Sequence, residues 1–177
     1  MKRFAVWCVV GAMTIQAAVV AHGAFSQPTE AQIAAAAKDP AANMAALLKD
    51  ASAEQAAQVV KVVVAKVLGL GLASDVQSAR IVAVISGALA AVPSQMQVAF
   101  SSALGTAVAG SGVIVAVPGA VSTIQGAIAT AGGAQGAALA EAFGAAYQAT
   151  MQNIGGTGQK TKNDPPPVAS GYEGQTL

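Results

Sequence analysis

Asp50 and Glu54 lie four residues apart, a spacing that would put two carboxylates on one helical face and within reach of shared acid–base work. The plainer account is electrostatic. Acids near the start of a helix face the positive end of its dipole, and we read the pair that way. The other chemistry-bearing residue types are scarce. Cys8 is the one cysteine and His22 the one histidine, and both fall in an N-terminal stretch that reads as a removable leader. Without them the remaining chain has no Ser-His-Asp triad, no thiol nucleophile, no zinc site built from nitrogen and sulfur ligands, and no disulfide framework. The sequence therefore predicts no catalytic, cofactor-binding or metal-ligating residues, and a protein that is not an enzyme.

Two glycine-rich pieces, Gly69-Leu70-Gly71 and Gly110-Ser111-Gly112, lack the further glycines and the lysine of a phosphate-cradling loop and read as turns. Lys61, Lys66 and Arg80 are a candidate basic patch, but Glu54 and Asp75 flank them, so a solvated face with ion pairing is expected. Nucleic-acid binding is not expected, because the clustered Lys and Arg that displace counterions from phosphates are missing.

The leader is read from its order of residue types. Met1-Lys2-Arg3 is basic, the uncharged run from Phe4 to Val20 is mostly apolar, and Ala21-His22-Gly23 sets small residues at the third and first positions before Ala24. That is a signal peptide over residues 1–23, cut before Ala24 or, as second choice, before Phe25. A membrane-spanning anchor would want about 20 apolar residues, and this run is broken by Thr14 and Gln16. Export to the periplasm or the exterior follows as an expectation. Loss of Lys2 and Arg3 leaves seven bases against eight acids.

These few charges are unevenly placed. Between Arg80 and Lys160 the single charged residue is Glu141, whereas soluble domains usually carry about a quarter charged residues. A surface that relies on Ser, Thr, Gln and Ala for solubility is open to self-association or to a protein partner.

The elements that must carry this surface are helices. Ser or Thr is followed three residues later by Gln at Thr29/Gln32, Ser52/Gln55, Ser74/Gln77 and Ser94/Gln97, each a candidate capping box. Stop signals fall between them at Asp50, Gly69 with Gly71, Pro93, Gly110 with Gly112, Gly132 with Gly133, and Gly155 with Gly156. Apolar residues recur at helical spacing in between: Val59, Val63, Val67, Leu70; Ile81, Ile85, Leu89; Met96, Phe100, Leu104, Val108; Val117, Val121, Ile124, Ile128; Leu139, Phe143, Tyr147, Met151. The pattern predicts an all-α, Ala-rich bundle or short helical-repeat array of about five to seven helices over residues 24–152: five principal ones, preceded by one or two shorter ones around Thr29–Ala37 and Pro40–Lys49. The β-branched run Val113-Ile114-Val115-Ala116-Val117 reads as a connector or short helix, with the next helix starting at Pro118. Gly132, Gly136, Ala140 and Gly144 form a small-residue row, expected to be a tight contact within the bundle rather than a membrane interface. Residues 153–177, with Pro165-Pro166-Pro167, predict a disordered tail.

Export, missing chemistry and the charge-poor half together predict a non-enzymatic structural or interaction protein of the envelope or extracellular space. The alternative is a membrane-active, pore-forming protein that inserts its 81–159 region; it is disfavoured because Ile81 to Val92 is too short an apolar run to span.

Overall fold

The computed structural model describes residues 25–156, and every regular element among them is helical. Helix α1 spans Glu30–Lys38, α2 Pro40–Leu47, α3 Ala53–Leu68, α4 Ser74–Ala91, α5 Gln97–Ala109, α6 Gly112–Val115, α7 Ala120–Ala131 and α8 Gly136–Gly156, with single 3-10 turns at Ser94–Met96 and Gly133–Gln135. The leader expected over residues 1–23 and the tail beyond residue 156 lie outside the described residues. The tail was expected from residue 153, but α8 runs on to Gly156. Nothing between Met151 and Ile154 breaks a helix, and the first strong stop is the Gly155-Gly156 pair.

Helix starts follow local chemistry, though not always the chemistry expected. Thr29 and Ser52 form full capping boxes: Thr29 Oγ1 and Ser52 Oγ accept from the Gln32 and Gln55 amides, and the two Gln side chains accept from the cap amides in return. The other two boxes do not form. Ser74 is already inside α4, whose start at Ala73 has no side-chain cap, and Ser94 lies in a 3-10 turn. There the glutamines turn backward. Gln77 Nε2 donates to the Leu68 carbonyl at the end of α3, and Gln97 Nε2 donates to the Leu89 and Val92 carbonyls at the end of α4, so orphan acceptors of the preceding helix are satisfied instead. The run after Gly112 does contain a short helix, α6, whereas α7 begins at Ala120 and not at Pro118. The delay comes from Gly119, held at φ +80, a left-handed conformation that glycine adopts without the Cβ clash other residues meet.

Five helices close into a ring: α3 packs on α4, α4 on α7, α7 on α8, α8 on α5, and α5 back on α3. A linear repeat array would confine contacts to neighbouring units; here the ends meet, so the fold is a bundle. Helices α4 and α5 diverge by 115° across Pro93 and are tied together through their neighbours. Helix α6 plugs the ring against α3, α5 and α7, with Ile114 fully buried. Helices α1 and α2 cover the α3–α4 side. Two polar ties hold α1 there: the Lys66–Glu30 ion pair at 2.7 Å, and a 3.0 Å bond from Arg80 Nη1 to the Ala37 carbonyl.

The apolar stripes meet inside. Phe100, Phe143, Met44, Ile81, Ile85, Leu104, Ile124, Ile128 and Leu139 are the bulk of the fully buried side chains. Alanines 36, 37, 56, 57 and 88 sit between them with almost no exposure and let the helices come close. The small-residue row belongs to this packing. Gly136 lies against the Ala129 backbone, Gly144 against the Gln125 side chain, and Gln125 Nε2 donates to the Ala140 carbonyl, so the row faces α7 within the bundle.

Candidate functional site

Two surface depressions flank the exposed face of α3, close to the α2–α3 turn. Asp50 stands at φ +60, a left-handed position that Asp tolerates better than most residues. The chain then reaches Ser52, whose Oγ donates to Glu54 Oε2 at 2.9 Å while capping α3. Glu54 also accepts from its own backbone N–H, and that bond together with the Ser52 hydroxyl holds its carboxyl below the usual carboxylate range. A general acid needs the opposite shift. Glu54 is therefore a fixed negative charge on an open surface.

Two depressions share this ridge. One, of about 240 Å3, lies between the N-terminal segment and α3; the apolar residues Phe25, Pro28, Ile33, Val59 and Val62 line it together with Glu54 and Gln58. The other, more open, lies between α3 and α5, where Ala99, Ser102, Ala103 and Thr106 face the same Glu54 and Gln58. Asp50 borders neither. It opens instead onto a third depression with Ser26, Gln32 and Lys49, which Pro28 also lines. The two carboxylates that sequence spacing grouped thus border different depressions.

The remaining chemistry-bearing residues are dispersed too. Lys61 Nζ donates to Gln58 at 2.6 Å, Lys66 is paired with Glu30, and Arg80 closes the end of α1, so the three cations do not form a patch. Glu30 is held below its ordinary range by the Lys66 hydrogen bond and charge. Gly69 and Gly71 end α3, and the Ser111 hydroxyl accepts from the Ile114 amide to start α6; both glycine pieces are helix punctuation. Among the described residues no three acids come together in a way that would hold a metal ion.

One buried polar atom was not foreseen. Ser101 on α5 is fully buried and its Oγ has no hydrogen-bond partner. It sits one turn before Gly105, where a Cβ would collide with the Phe143 carbonyl and approach the Tyr147 amide to 3.0 Å. Gly105 lets α5 and α8 touch. Sequence patterning passed over Ser101 and Gly105 because neither belongs to an apolar stripe.

The charge-poor stretch forms outer surface as well as core. Val82 on α4, Val98 on α5 and Val113 on α6 are the large apolar residues most exposed between Arg80 and Glu141, Val98 and Val113 at 52% and 58%. No single described helix is long and apolar enough to cross a membrane, although α4 and α5 with its preceding turn pass that test as a bent pair. No protein-family model, no curated protein and no solved structure matches this chain.

Proposed function

We propose that this chain is an exported, non-enzymatic interaction protein of the cell envelope or extracellular space, working through its helical surface and by self-association. The observation that carries the reading is the outer surface of the ring: Val82, Val98 and Val113 stand exposed in a stretch whose one charged residue is Glu141. Isolated apolar residues are ordinary on any surface, but charge around them normally keeps molecules apart. Export is supported by the leader pattern, and a cut before Ala24 leaves every described helix whole.

N-terminal mass analysis of native protein tests the export half. A mature chain starting at Ala24 or Phe25 is expected, and an intact Met1 terminus on the accumulated protein contradicts it. Val98→Lys tests the surface half. It should weaken association while leaving helix content unchanged by circular dichroism; equal association in the variant removes α5 from the interface.

A second reading, membrane insertion of the 81–159 region, draws on the bent α4–α5 pair. Insertion would have to draw Ile81, Ile85, Leu89, Phe100 and Leu104 out of a closed core. Dose-dependent dye release from liposomes would favour it.

A further inference from the structure

Helix α3 buries one side in the ring and leaves the other open, where Glu54, Gln58 and Val62 follow at one-turn spacing and stand exposed. Lys61 comes two turns after Glu54, on nearly the same side; it is half-buried, with its Nζ on Gln58 at 2.6 Å. Beside this ridge runs the open groove to α5, of about 420 Å3, whose α5 wall is built of small residues, Ala99, Ser102, Ala103 and Thr106. Exposed Val98 stands one turn before Ser102 on the same helix. A wall of small side chains leaves room for another helix to seat its own ridge in the groove.

Charge decides which helix that is. Helix α5 has no charged residue, so the signs on this face are those of α3: Glu54 at its start and Lys61 two turns on. Among the described residues neither is in an ion pair. The Ser52 hydroxyl donates to Glu54 Oε2 and fixes that charge in place without neutralising it. A partner of one sign would meet a like charge at one of the two positions. A second α3 running the opposite way meets an opposite charge at both.

We propose that the α3–α5 face is a two-fold interface between copies of this chain, with the two α3 helices antiparallel, Glu54 of each facing the partner's Lys61. The inference rests on the self-association reading and names the surface and the symmetry that reading leaves open. Under a two-fold every contact is made twice, so two such cross-pairs flank an axis near Gln58. Exposed pairs of this kind are individually weak; they set direction and register, while Val62, Val98 and the α5 alanines supply the burial.

The test is sedimentation velocity on native protein and on Glu54→Lys, Lys61→Glu and Glu141→Lys variants, with helix content followed by circular dichroism. Each α3 reversal puts like charges face to face twice and should weaken association about tenfold. Mixing the two single variants in equal amounts makes every cross-pair opposite again and should restore wild-type association. Glu141→Lys makes the same change in net charge as Glu54→Lys, but on α8, which packs on α5 and α7 away from this face; it should leave association within about twofold. Should a reversal unfold α3, Glu54→Gln and Lys61→Met remove the charges singly, each with an expected loss of about threefold. Wild-type association in the α3 variants, an equal loss in Glu141→Lys, or no recovery on mixing overturns this interface while self-association stands. A wild type that is monomeric at every concentration overturns both.

Discussion

Ser101 is the residue whose physics is least compensated. A hydroxyl buried without a partner costs about 1 to 3 kcal/mol, and here it lies on α5, one turn before Gly105. Alanine keeps the small volume and removes the polar atom, so Ser101→Ala should stabilise the fold by about 1 kcal/mol in chemical denaturation; a loss of stability would mean that the hydroxyl has a partner. The helix caps give a second comparison. Ser52→Ala should cost about 1 kcal/mol because its Oγ accepts from the Gln55 amide. Ser74→Ala should cost little, since that hydroxyl caps nothing. Equal losses at the two sites in parallel urea titrations would contradict the distinction. From sequence alone the two serines are indistinguishable, because the Ser-x-x-Gln spacing is the same whether the glutamine folds onto its own cap or reaches back to the preceding helix.

At the scale of elements, the tightest joint is α5 against α8. Gly105→Ala would drive a Cβ into the Phe143 carbonyl, backbone that cannot move aside like a flexible side chain, and should cost about 2 kcal/mol or more. Ala at Gly126, where a Cβ would meet open space, should instead gain about 1 kcal/mol from helix propensity; a gain at Gly105 as well would show that the helices separate freely. A second joint is set by charge. Glu30 titrates below its ordinary range because Lys66 holds its ionised form, so the pair's contribution is fully present above the unfolded carboxylate pKa and is lost as pH falls through the lowered folded value. The α1 docking should therefore loosen in acid, as hydrogen exchange in α1 followed against pH would show, and Lys66→Met should flatten that dependence. The stop residues and apolar stripes made most helices and their buried faces legible in the sequence. They could not show that the ends close into a ring, because closure depends on α5 meeting α8, and Gly105, the small residue at that joint, lies outside the apolar stripes. Sequence spacing likewise does not show that Asp50 and Glu54 border different depressions, because it says nothing of the N-terminal segment that lines both.

For the whole molecule, composition sets stability and association together. Each Ala that stands where a Leu would fit has three fewer carbons to bury, a difference of roughly 2.4 kcal/mol at about 0.8 per methylene. The load therefore falls on a few large side chains, Phe100 and Phe143 among them. The outer face has little charge to hold copies apart, and near-neutral proteins tend to associate. Sedimentation velocity on native protein over a wide concentration range measures this directly. The account predicts a weight-average mass that rises with concentration and falls back toward the monomer in Val98→Lys; a single monomeric boundary at every concentration would contradict it.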